Sequence, residues 1–119
     1  MIRRVLMIAG DPSGDLHGAG VVRALKRRLP DLDLYGVGGE RMKDEGMEVV
    51  YHLSRLSFMG FVEVIKNLAV VRHLERMLEH LLDTRRPDVV VLIDYPGFNL
   101  RFARKVKREN LVTVIVACS

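Results

Sequence analysis

Tryptophan is absent from this chain of 119 residues, aromatic residues make up only 6% of it, and Cys118 is its one cysteine. Each scarcity excludes something. A lone cysteine forms no internal disulfide and no multi-cysteine metal site, and a reducing, cytoplasmic compartment is the expectation that goes with it. With so few aromatic rings there are few platforms on which bases could stack, so no nucleic-acid partner is expected despite a net charge of +4. That mild excess, 19 Lys+Arg against 15 Asp+Glu, suits an anionic ligand or an anionic membrane surface instead. No apolar run approaches the ~20 residues that cross a bilayer. The run Val5–Ala9 behind Arg3-Arg4 is too short even for a signal-peptide core. Internal repeats, low-complexity tracts and linkers are also missing, and the length excludes a complete two-domain enzyme.

What is present is the composition of a folded globule, 49% hydrophobic and 29% charged. Four short apolar runs read as strands: Val5–Ala9, Leu32–Val37, Val89–Asp94 and Val112–Ala117, with a weaker one over Glu48–Tyr51. They are continuous in Val, Leu and Ile rather than alternating, the pattern of strands covered on both faces, as in a parallel sheet. Helical spacing lies between them. Leu16–Leu29 stops at Pro30, Glu40–Glu45 ends at Gly46, Phe61–Thr84 exits before Pro87, and Asn99–Arg108 starts on a plausible N-cap, Asn99. Alternating strands and helices with right-handed crossovers specify an α/β, doubly wound parallel sheet, here with expected order 3-2-1-4-5. The first and fourth strands then meet at the switch point, so the loops leaving their carboxyl ends share a crevice. The last strand runs almost to Ser119 with no helix after it to cover it, so either its face is left bare or the lobe reads as truncated.

Three loops face that crevice. The first is Gly10-Asp11-Pro12-Ser13-Gly14-Asp15. Its glycines allow close backbone approach, and free N–H groups at the next helix start favour an anion or a hydroxyl-rich ligand. It equally reads as a tight turn with Ser13 or Asp15 capping the helix. Gly18 hints at a backbone or ligand packed against that helix. The second loop, Gly36-Val37-Gly38-Gly39, reads either as a left-handed turn or as a wall of the crevice. The third is Asp94-Tyr95-Pro96-Gly97-Phe98-Asn99. Asp94, at the dry end of a buried strand, is placed to accept a proton from a substrate hydroxyl, with burial tuning its basicity; its other reading is a capping carboxylate. Asn99 either bonds a sugar hydroxyl or caps its helix. The segment Phe58–Val71 is apolar around well over half its helical circumference, followed by Arg72, His73 and Arg76. Such a surplus suits an acyl chain or an anionic membrane, and also a fully buried helix or a partner domain. His17, His52, His73 and His80 have no metal-ligand spacing.

Several motifs stand together in order: Ala9-Gly10-Asp11-Pro12-Ser13-Gly14-Asp15-Leu16-His17-Gly18-Ala19-Gly20, Gly36-Val37-Gly38-Gly39 with Arg41-Met42, Met59-Gly60-Phe61-Val62-Glu63-Val64, Arg86-Pro87-Asp88, and Ile93-Asp94-Tyr95-Pro96-Gly97-Phe98-Asn99-Leu100-Arg101. With them the chain, over roughly residues 3 to 108, resembles the N-terminal part of the lipid-A-disaccharide synthase family, which are membrane-associated glycosyltransferases of the GT-B fold. The resemblance implies a Rossmann-like, acceptor-side lobe over residues 1–119, without the C-terminal nucleotide-sugar domain. It implies an inverting transfer of 2,3-diacylglucosamine from its UDP donor (UDP-diacylglucosamine) to 2,3-diacylglucosamine 1-phosphate (lipid X), giving the lipid A disaccharide phosphate and UDP. It implies no metal and no cofactor, and a peripheral location at the inner face of the cytoplasmic membrane. By residue, Asp94 matches the general base, and Ser13, Gly14, Asp15 and Asn99 match positions near the substrate, with Gly38 and Gly39 on the second loop. Phe61, Val62, Val64, Ile65, Leu68 and Val71 match a hydrophobic patch toward membrane or acyl chains. The chain departs from the family at its end, Val114–Ser119, and on its own it is expected to be inactive.

The alternatives are a non-catalytic α/β ligand- or partner-binding module and an inactive truncated product. A response-regulator receiver would need its acceptor Asp after the third strand and a Lys after the fifth, and neither is here. Half of a nicotinamide-binding domain would need the Gly-x-Gly-x-x-Gly fingerprint, which is missing.

Overall fold

A computed structural model describes residues 2–55, 68–93 and 112–116. Strands and helices alternate as β1 (Arg4–Ala9), α1 (Pro12–Arg28), β2 (Asp33–Gly38), α2 (Glu40–Asp44), β3 (Glu48–His52), a 3-10 turn (Leu53–Arg55), α3 (Leu68–Arg85), β4 (Val89–Ile93) and β5 (Val112–Val116). All four strand pairs are parallel, and the order across the sheet is β3-β2-β1-β4-β5. This is the doubly wound α/β sheet, in the order the strand–helix alternation specifies, and the weak run over Glu48–Tyr51 is its edge strand β3.

The inner parts of β1, β2 and β4 are apolar because each face has its own cover. Leu6 and Ile8 of β1, with Tyr35 and Val37 of β2 and Val90 and Leu92 of β4, pack against Leu74, Leu78 and Leu82 of α3. Those three leucines recur every four residues and form one stripe along α3. The alternate residues, Val5, Met7 and Ala9 of β1 with Val91 and Ile93 of β4, pack against Ala19 and Val22 of α1 and Met42 of α2. The period of two along each strand therefore divides the core into two layers.

Two helix boundaries differ from the sequence reading. α1 starts at Pro12, not Leu16, because Asp11 takes extended backbone (φ −148°, ψ 169°) and its Oδ1 accepts the Gly14 N–H at 2.6 Å. Asp11 is thus the N-cap, with Pro12 at the first helical position, where its missing N–H costs nothing. Neither Ser13 nor Asp15 caps this helix. α3 runs to Arg85, and Arg86 turns the chain with a left-handed φ of 43° before Pro87. The first seven residues of the expected Phe61–Thr84 helix, up to residue 67, and the whole of Asn99–Arg108 lie outside the described residues.

Gly36 is fixed by contact. Its φ is +151°, it pairs with Met7, and a Cβ there would overlap the Met7 carbonyl oxygen; the β2–β3 register shifts just beyond it.

The amino ends of the strands are tied by charge. Asp88 accepts the backbone N–H groups of Arg3 at 2.8 Å and Arg4 at 3.0 Å, which hold its carboxyl below the usual range. Arg85, at the end of α3, bonds Asp33 at 3.0 Å and Glu48 at 2.9 Å, and its guanidinium lies 3.9 Å from the centroid of the Tyr35 ring. The carboxyl ends carry the glycine loops instead.

Candidate functional site

Ala9 is in register with Ile93, so the chain leaves β1 and β4 side by side at the carboxyl edge of the sheet. A Cβ on Gly14 would lie 3.3 Å from Ala9 Cβ and 3.6 Å from the Ile93 carbonyl oxygen. The start of α1 therefore crosses the last carbonyl of β4 at close range, and a larger side chain would lift it away. Asp94 follows Ile93 in sequence, but Asp94 and Asn99 lie outside the described residues.

Ser13, next to Gly14, is exposed on the first turn of α1. The donors expected at this helix start are mostly engaged. Pro12 has none, Gly14 N–H goes to Asp11 Oδ1, and Asp15 N–H goes to the Asp11 carbonyl at 3.0 Å. Of this first turn, the Ser13 N–H alone makes no hydrogen bond among the described residues, so an open anion cradle is replaced by one donor beside a hydroxyl.

Asp15 is buried, with 6% of its surface exposed. Its carboxylate faces the second loop, where Oδ1 accepts Gly39 N–H at 2.8 Å and Met42 N–H at 3.1 Å, and Oδ2 accepts Arg41 N–H at 3.1 Å. These are donors at the start of α2, whose N-cap, Gly39, has no side chain to supply a cap. Gly38 and Gly39 are needed for space and not for a left-handed turn. Gly39 is extended (φ −116°, ψ −163°), and a Cβ on it would lie 2.7 Å from Asp15 Oδ2. A Cβ on Gly38 would lie 2.7 Å from Met42 Sδ. The hint at Gly18 also resolves into Met42: its Sδ would be 2.8 Å from a Gly18 Cβ. A side chain, rather than a ligand or a backbone, fills that notch.

The rim continues to β3. His52 Nδ1 accepts the Ser54 N–H at 3.1 Å, which leaves the ring proton on Nε2, 3.1 Å from Glu40 Oε1. Sequence reasoning passed over Glu40 and His52, since only the β2–β3 register brings them together. Asp11 had a local signal, Asp-Pro at a helix start. Of the apolar patch, Phe61, Val62, Val64 and Ile65 lie outside the described residues, while Leu68 and Val71 fall on the first turn of α3. Among the described residues no group of three or more His, Cys, Asp or Glu could hold a metal ion, and no helix is long and apolar enough to cross a membrane.

The sheet order defines a doubly wound α/β protein, a class in which ligands collect outside the carboxyl ends of the strands at the switch point. A family model described as lipid-A-disaccharide synthetase matches residues 5–117, and the chain belongs to that family. Proteins named lipid-A-disaccharide synthase are similar to it: that of Coxiella burnetii is 41% identical over 109 residues, which are 92% of this chain and 29% of that protein. The Geobacter sulfurreducens protein is 39% identical over 108 residues, 91% of this chain and 28% of that protein. The Chromohalobacter salexigens protein is 44% identical over 111 residues, 93% of this chain and 29% of that protein. The chain thus spans under a third of the length of these curated relatives.

Proposed function

We propose that the chain is the acceptor side of a lipid-A-disaccharide synthase. The reaction is inverting transfer of 2,3-diacylglucosamine from its UDP donor to the 6-hydroxyl of 2,3-diacylglucosamine 1-phosphate. The observation that carries the reading is the family match together with the Ala9–Ile93 register, which supports a crevice between the Ser13-Gly14 loop and the segment beginning at Asp94. Asp94 is the general base that takes the hydroxyl proton, Ser13 and Asn99 bond sugar hydroxyls, and Gly14, Gly38 and Gly39 serve the site by letting the loops around it pack closely on Ala9, Met42 and Asp15. The reaction requires neither metal nor cofactor in this reading. Residues 1–119 form a Rossmann-like lobe, and the nucleotide-sugar side is not among them. Phe61, Val62, Val64, Ile65, Leu68 and Val71, with the nearby Arg72 and Arg76, meet the acyl chains and the anionic inner face of the cytoplasmic membrane, where the protein is peripheral.

The test is a chimera in which these residues replace the corresponding N-terminal part of the Coxiella burnetii protein. Disaccharide formation is expected, and Asp94→Asn is expected to lower kcat by roughly 10²–10⁴-fold, the usual weight of a general base. An Asp94→Asn chimera that keeps full kcat removes the base from the mechanism. The purified 119-residue chain is expected to bind the acceptor and to form no disaccharide. Binding of UDP with no response to the acceptor sinks the acceptor-side assignment.

A further inference from the structure

Asp15 has a different job from its neighbours on the first loop. Both of its carboxylate oxygens are turned toward the start of α2, where they accept the N–H groups of Gly39, Arg41 and Met42. A carboxylate with 6% exposure needs compensation for lost hydration. Three backbone donors and the positive end of α2 supply it. In return α2, a helix of five residues with a glycine N-cap, receives a cap from α1 that its own sequence cannot provide. The arrangement is reciprocal in space as well. The absent Cβ of Gly39 makes room for Oδ2, and Met42, on the first turn of α2, enters the notch at Gly18 on the second turn of α1.

We infer that Asp15 is a positioning residue that joins the β1–α1 and β2–α2 loops into a single rigid rim, and that it does not itself contact the ligand. For the ligand's identity the inference rests on the acceptor-sugar reading above. The mechanical consequence is that a sugar held at Ser13 and Gly14 also steadies Gly39 and the start of α2, because one carboxylate joins the two.

Amide hydrogen exchange on the full 119-residue chain tests this, with glucosamine 1-phosphate as the probe ligand. In Asp15→Asn, the side chain keeps its shape but turns an NH2 toward a backbone donor. The amides of Gly39, Arg41 and Met42 are expected to exchange at least about tenfold faster, while β1 and β4 amides keep their rates. Gly39→Ala, which displaces the carboxylate from the other side, is expected to speed Arg41 and Met42 in the same way. Saturating the wild-type chain with the probe is expected to slow Gly39 and Arg41, and Asp15→Asn is expected to abolish that slowing while the probe still shifts the Ser13 amide. Unchanged protection at all three amides in both variants overturns the inference. So does a uniform acceleration that includes β1 and β4, or loss of probe binding in Asp15→Asn with the three amides still protected. If the wild-type chain ignores the probe but Asp15→Asn releases the three amides, the acceptor reading fails and the positioning role stands.

Discussion

Tyr35 is fully buried beneath α3, and its hydroxyl has no hydrogen-bond partner among the described residues. Burial pushes its phenol up to about 12 from 10.0, against the opposing pull of Arg85. The folded protein therefore holds the proton more tightly than the unfolded chain. The associated stability is complete below pH 10 and is lost as pH rises from there through about 12. Replacing the hydroxyl removes both the unmet hydrogen bond and the titration. Tyr35→Phe is expected to be as stable as the parent at pH 7, or up to ~1 kcal/mol more so. Denaturant melts at pH 9 and 11.5 are expected to show a smaller alkaline loss for the variant; equal losses would assign the alkaline sensitivity to other groups. At this scale legibility in the sequence depends on distance along the chain. Asp11 is readable as a cap because its partner is three residues away, whereas the donors that enclose the Asp15 carboxylate begin at Gly39 and become its neighbours only after β2 has docked.

Among the elements, α2 is the one that could not stand alone. Five residues are too few to nucleate a helix in water. It persists because Met42 is seated between Gly18 and Gly38 and because Arg23 of α1 bonds Glu45 at its end. Met42→Ala leaves a cavity in that seat and is expected to lower stability by ~2–4 kcal/mol. Gly18→Ala meets the Met42 sulfur and is expected to destabilise too, but by much less in a Met42→Ala background. A double-mutant cycle followed by thermal unfolding reads that coupling, and strict additivity would mean that Gly18 and Met42 act separately. The existence and type of the elements were open to reading, because period and punctuation are local. Their exact seating was not, since the role of Gly18 is defined by a methionine on another helix.

For the whole molecule, the sheet order follows from alternation and handedness, and the unbroken apolar runs already indicated cover on both faces. The division into two layers was not legible in the sequence, because it depends on which face each crossover takes. The membrane role proposed for the segment Phe61–Val71 belongs to the scale of the whole particle and is tested there. With vesicles containing anionic lipid, Val64→Ser with Leu68→Ser is expected to reduce co-sedimentation severalfold. Unchanged sedimentation would turn that segment toward a protein neighbour. The strand order has a further consequence for synthesis on the ribosome. β1 is made first yet lies at the centre, and its partners arrive far apart: β2 at Asp33–Gly38 and β4 only at Val89–Ile93. When the chain has emerged as far as β3, α1 and α2 can already shield one side. Leu6, Ile8, Tyr35, Val37 and Tyr51 on the other side wait for α3. The nascent protein thus passes through a stage with one finished face and one sticky face, when it is most exposed to aggregation.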